Sequence, residues 1–214
     1  MDTVIKDLNP IIQMLVVMTV FSLLPLVFCC MTSFLRFVIV FSMLKTAMGT
    51  QQVPPSIVII GLAMILTFYT MGGTFQKMYE MGSVPYTQNK NIIEAVNEGS
   101  KPLKEFMLKQ TRESDLAFFV ELSNGGKAPD NPDELTVWQV APAFIISELK
   151  TSFEIGFIIF VPFIVLDLVV ANILLALGMF MLSPTIISLP FKLLIFIAVD
   201  GWALIVQGLV TSYN

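Results

Sequence analysis

Residues 155–182, IGFIIFVPFIVLDLVVANILLALGMFML, form one apolar run interrupted only by Asp167 and Asn172. As a helix that run would be about 42 Å long, more than the ~30 Å hydrocarbon core of a bilayer. A second apolar run, residues 187–202, returns after a turn rich in Pro and Ser and carries Lys192 and Asp200. A charge left facing lipid costs about 2.5–3.5 kcal/mol, and Pro162 removes a bond from the helix ladder. The hairpin is therefore expected to bury Asp167, Lys192 and Asp200, with Glu154 just ahead of them, against protein, where they would serve subunit assembly.

The register of the two legs decides which charges meet. With the turn placed at residues 183–190, Lys192 comes level with about Met181 and Asp167 lies roughly 20 Å deeper. On that register the two cannot pair within one hairpin. A buried Lys needs a counter-ion, so the partner of Lys192 is expected on a neighbouring subunit or another protein.

Composition sets the class. Charged residues make up 13% of the chain, against about a quarter in soluble domains, and mean hydropathy is +0.82. This is an integral membrane protein. Twelve of the sixteen acids and eight of the twelve bases fall in residues 77–154, so one polar region sits amid apolar helices. The fold expected is all-α: membrane helical hairpins broken by Pro and Gly, with a small helical extracytoplasmic domain. The boundaries read as 1–75 for the N-terminal apolar helices, 76–146 for the polar domain and 147–214 for the C-terminal hairpin.

The opening MDTVIKDLNP has one base and two acids. It lacks the positive start of a secretory signal, so the first apolar segment, residues 11–35 with Pro25 in the middle, is expected to stay attached. GTQQVPP, residues 49–55, is a turn by its Gly and paired prolines, and a charge-free span follows over residues 56–75. Amphipathic helices are expected at 89–98 and 101–121, with Ser100 as a cap and Pro102 in a first turn. NGGKAPDNP, residues 124–132, reads as a loop.

Several function classes are excluded by what the chain can bring together. Histidine is absent, which removes His-based metal sites and His general-base catalysis. Cys29 and Cys30 are adjacent, where a disulfide would be strained, and read as packing residues. Asp167 and Asp200 lack the local signatures of intramembrane aspartyl proteases. No catalytic residue, cofactor or metal site is expected, and no nucleic-acid motif appears. A small-solute or ion transporter using Asp167, Lys192 and Asp200 is the alternative from another class, although the repeats such transporters carry are not found.

Four stretches carry a resemblance: TSFLRFVIVFSMLKTAMGTQQVPP at 32–55, EFMLKQTRESDLAFF at 105–119, APAFIISELKTSFEIGFIIFVPFIVLDLVVANILLALGMFMLSP at 141–184, and ISLPFKLLIFIAVDGW at 187–202. In this order and spacing they resemble the type III secretion export-gate family, FliP in flagella and SctR in injectisomes. The resemblance implies a subunit of a closed channel for unfolded export substrates across the bacterial inner membrane. It implies a homo-oligomer, a pentamer, inside a hetero-oligomer with FliQ/SctS-like and FliR/SctT-like subunits. It also gives LGMFMLSP a role. A Met-Phe-Met cluster by itself reads as a core or lipid-facing patch, whereas the family makes Met179, Phe180 and Met181 the gasket of the pore. Flexible, polarizable methionines suit a ring that closes on itself or on a passing chain, and a hydrophobic constriction stops ions by dewetting. Where this family commonly has three consecutive methionines, the chain has Phe180 in the middle.

Topology follows from the bases. Arg36 and Lys45 flank a short connection before Pro54, whereas residues 77–154 hold four more acids than bases. The positive-inside rule then puts the connection in the cytoplasm, and both termini and the polar domain on the periplasmic side of a multi-pass inner-membrane protein. A cysteine introduced at Ser114, in a chain cleared of Cys29 and Cys30, should react with a membrane-impermeant maleimide once the outer membrane is permeabilised. Labelling only after lysis of the inner membrane would reverse the topology.

Overall fold

The computed structural model describes residues 10–50, 52–87, 92–124 and 135–213. Among the described residues there are nine α-helices and no strand: α1 (Pro10–Met31), α2 (Phe34–Ala47), α3 (Ser56–Thr70), α4 (Gly72–Thr87), α5 (Ile92–Gln110), α6 (Glu113–Asn124), α7 (Val137–Ala176), α8 (Pro184–Ala198) and α9 (Gly201–Thr211). The all-α class read from the sequence is the one the chain adopts. By length and composition, α7 alone is long and apolar enough to cross a membrane among the described residues. The number of spans rises to as many as four if each of three bent helix pairs counts as one.

The chain divides into two compact units. The first comprises residues 1–34 and 71–147. Its core is Met31, Met71, Leu103, Met107, Val120, Leu135, Val140, Ala141 and Phe144, with Phe106 edge-on to Phe144 at 5.9 Å. α4 and α5 approach closely at glycine, since a Cβ on Gly99 would lie 3.3 Å from the Gly82 Cα. The sequence expectation of two helices meeting near Ser100 is corrected here. α5 runs unbroken through Pro102, whose ring is buried. The break comes instead at residues 111–112, where the Arg112 backbone N–H donates to Ser147 Oγ at 2.9 Å. A side chain from α7 thus caps a backbone group that α6 cannot use. Residues 89–91 of the first expected helix and 125–132 of the expected loop lie outside the described residues.

The second unit comprises residues 35–70 and 148–214. Leu44, Ala47, Met48, Phe163 and Phe196 form its core, and aromatic rings tie it together: Phe41 to Trp202, Phe196 to Trp202 and Phe163 to Phe196. α7 and α8 make the expected hairpin, but the turn is not at residues 183–190. Gly178, at φ +74°, ends α7: its N–H bonds to the Leu175 carbonyl at 3.0 Å, and the Met179 N–H to that of Leu174 at 2.9 Å. That is a Schellman ending, which favours glycine at the left-handed position. Pro184 then opens α8, where its fixed φ suits a first turn and its missing N–H costs nothing. The turn is therefore residues 177–183, and Pro190 lies inside α8. Pro162 likewise fails to break α7, which continues through it on the exposed side. Loss of one i−4 bond is tolerable where neighbouring groups re-satisfy the backbone.

α8 and α9 meet at a 63° bend. Asp200 forms the corner at φ 52°, ψ 49°, a conformation most side chains avoid and Asp tolerates. The next residue is glycine for a steric reason: a Cβ on Gly201 would lie 2.3 Å from the Phe196 ring, itself held between Phe163 and Trp202. Gly208, by contrast, faces open space within α9. Gly201→Ala should lower the thermal unfolding midpoint of the detergent-solubilised chain, overpacking costing about 1–3 kcal/mol. Gly208→Ala should raise it by the helix propensity gain of about 1 kcal/mol.

Candidate functional site

The tip of the α7–α8 hairpin carries the residues singled out in the sequence. Met179, Phe180 and Met181 stand on it with 47%, 76% and 100% of their surface exposed. A fully exposed Met flanked by exposed Phe and Met is an unusual use of apolar surface. No side chain in the triplet is needed to hold the turn, because Gly178 and Pro184 end the helices on either side through their backbones.

Below the tip, the hairpin is locked by an ion pair that the expected register forbade. Lys192 Nζ lies 2.7 Å from Asp167 Oδ2. The correction follows from the position of the turn: with Phe180 at its centre, Asp167 is 13 residues before and Lys192 12 residues after, so the two are level. The counter-ion of Lys192 is in the same chain, not on a neighbour. Ser188 Oγ donates to Asp167 Oδ1, and Lys192 also donates to the Ala47 carbonyl at 3.4 Å, at the end of α2. The pair is unequal in depth, since the lysine side chain is 3% exposed and the carboxylate 31%.

A second cluster in the same unit was missed in the sequence. Arg36, on α2, grips Glu148, on α7, with Nε to Oε2 at 2.8 Å and Nη2 to Oε1 at 2.5 Å. The two side chains are 4% and 0% exposed. Tyr213 closes the cluster: its hydroxyl donates to Glu148 Oε2 at 2.7 Å, while its ring lies 3.8 Å from the Arg36 guanidinium carbon. Ser212 Oγ takes a further bond from Arg36 Nη1 at 2.8 Å. A planar guanidinium is suited to this, offering a fork to the carboxylate and a face to the ring. The sequence offered a signal in Arg36 and Glu148 as charges set in apolar helices, but their separation of 112 residues left nothing to join them.

The other two charges singled out are placed differently. Glu154 is exposed on α7, and Asp200 is exposed at the α8–α9 corner. Neither joins the Asp167–Lys192 pair in any hydrogen bond or ion pair described above. Cys29 and Cys30 are free and half-buried. Among the described residues no group of three or more His, Cys, Asp or Glu could hold a metal ion.

With this geometry in view, the comparison with known proteins is decisive. Residues 17–209 match the FliP family. The chain belongs to that family. It is 44% identical over 209 residues to the flagellar biosynthetic protein FliP of Bacillus subtilis, covering 97% of this chain and 94% of that one. It is 48% identical to the protein of that name from Caulobacter vibrioides, covering 95% of this chain and 77% of the relative. The Buchnera aphidicola protein of the same name is 48% identical over 204 residues, and there the match spans about half of the relative's length, 54%. A FliP-family chain is an export-apparatus protein of flagellar biosynthesis, not an enzyme.

The unequal burial of Asp167 and Lys192 makes their removal unequal. Asp167→Ala strands a buried ammonium, at about 3–5 kcal/mol. Lys192→Met leaves a carboxylate that still has Ser188 and solvent, at about 1–3 kcal/mol. The double variant should resemble Lys192→Met alone, the two losses being strongly non-additive. Unfolding midpoints of the three variants in detergent check this, and equal losses from the two single changes would contradict it.

Proposed function

We infer that this chain is a subunit of the export gate of a type III protein secretion apparatus, of the flagellar kind. With copies of itself and FliQ-like and FliR-like partners it would form a closed channel for unfolded export substrates across the bacterial inner membrane. The observation that carries this reading is the exposure of Met179, Phe180 and Met181 at the end of a hairpin whose legs are cross-linked by Asp167 and Lys192. Such a tip stays apolar and exposed in the single chain, so it calls for a ring of like tips, or a passing polypeptide, to cover it. Methionines suit that task because unbranched side chains repack around shapes that differ. In the same reading the polar residues 76–146 are periplasmic, the chain crosses or enters the membrane more than once, and Glu154 and Asp200 serve subunit assembly.

The transporter alternative asks Asp167, Lys192 and Asp200 to form one substrate site. Asp167 and Lys192 neutralise each other, and Asp200 lies eight residues beyond Lys192, about 12 Å along a helix. Nothing in that arrangement favours a solute site.

Replacing Met179 and Met181 together with Ala should leave assembly of the complex intact and make membranes containing it conduct small ions, while bulkier apolar replacements keep the seal and slow export. Phe180→Ala should reduce assembly if the ring packs on a neighbour. Conductance of the assembled complex is the deciding measurement, and a double Ala variant no leakier than the parent places the seal elsewhere.

A further inference from the structure

Eight charged residues fall in the second unit, four bases and four acids. Arg36 pairs with Glu148 and Lys192 with Asp167, and Lys150 and Glu154 each have a partner. That leaves Lys45 and Asp200, whose side chains make no hydrogen bond or ion pair with any of the described residues. Both are set in apolar helices. Lys45 is in the last turn of α2, and Asp200 is at the bend between α8 and α9, two helices that together are apolar enough for one span. A lone charge in such a place is costly, and in a membrane protein it calls for an opposite charge.

Asp200 also borders a recess. An apolar groove of about 270 Å³ lies between α7, α8 and α9, walled among others by Phe163, Ile195 and Leu204, and both chain neighbours of Asp200, Val199 and Gly201, line it. An apolar groove bordered by a carboxylate complements a lysine, whose side chain is an apolar stem with a charged head. Within one chain Lys45 does not enter it. Met43 packs against α7, where a Cβ on Gly156 would lie 2.3 Å from its sulfur, and Lys45, two residues on, is about 200° further round α2. Lys45 therefore leaves α2 on the side away from α7, whereas the groove is walled by α7. The two charges nonetheless share a layer of the unit: α2 meets Trp202 at Phe41 and Lys192 at Ala47, and these contacts bracket both Lys45 and Asp200. Copies set side by side share that layer, so the Lys45 of one is level with the groove of the next. A contact between two different surfaces of the same chain repeats into a ring or a helix. We propose that the groove and Asp200 of one copy receive Lys45 and its flank of α2 from a second copy. The inference rests on the reading of the chain as a gate subunit present in several copies, and names a contact that joins them.

Two differently tagged forms of the full chain, cleared of Cys29 and Cys30 and carrying either Lys45→Cys or Asp200→Cys, are co-expressed with cysteine-free partner subunits and treated with a short bis-maleimide. Dimers carrying both tags should form, and neither variant expressed alone should give a dimer. In the chain with its own charges, Lys45→Gln and Asp200→Asn, the Asn keeping the left-handed corner, should each lower the yield of complex on native gels several-fold by leaving one charge alone at the contact. The double variant should lose no more than either single one. Unfolding midpoints of the uncomplexed chain in detergent should not move, because neither charge has a partner there. A dimer from one variant alone means a symmetric contact, and an Asp200→Cys chain joined to a partner subunit means a different occupant; either overturns the proposal, as do additive losses or a lowered midpoint of the uncomplexed chain. A complex that assembles in full without the mixed dimer overturns it and leaves the gate reading standing, whereas no complex from the parent chain sinks both.

Discussion

A guanidinium and a carboxylate taken out of water together set the terms for the second unit. Separately, each would cost several kcal/mol to bury; together they are tolerated only if the geometry is close and the remaining donors and acceptors are met. Arg36 and Glu148 meet that condition through Tyr213 and Ser212. The requirement reaches across the sequence. It joins α2 to α7 and draws the end of the chain back onto both, so three segments distant in sequence are held by one electrostatic constraint. The Phe37 ring, 5.8 Å from that of Tyr213, extends this into the apolar core.

The unit's hairpin ends its helices through main-chain geometry. Gly178 closes one leg in a left-handed turn whose N–H groups meet late carbonyls of α7, and Pro184 opens the other, its missing N–H leaving one orphaned donor fewer. At the α8–α9 corner the device is costlier: Asp200 adopts a left-handed conformation and Gly201 clears the Phe196 ring. Proline inside a helix behaves differently. Pro162 and Pro102 leave α7 and α5 continuous.

Much of this was legible in the sequence. Hydropathy marked the membrane class, Gly49 and the paired prolines marked the turn after α2, and four stretches resembled the right family. What failed was position. The Pro and Ser content of residues 183–190 drew the hairpin turn too far along the chain, because Pro184 was read as part of a turn when it begins a helix. That displacement of a few residues separated Asp167 from Lys192 by several helical turns and sent the counter-ion to another subunit. The Arg36–Glu148–Tyr213 cluster was illegible for another reason: pairing across such distance is decided by packing, and no local spacing encodes it.

The bracket formed by Gly178 and Pro184 makes residues 179–181 a replaceable part. The helices terminate through main-chain geometry, and the lock between the legs lies several turns below, so the scaffold is indifferent to what the tip displays. Side chains there can be exchanged as a set for others of different girth or polarity, with the hairpin still folding as it does. A Phe between two methionines is one such setting.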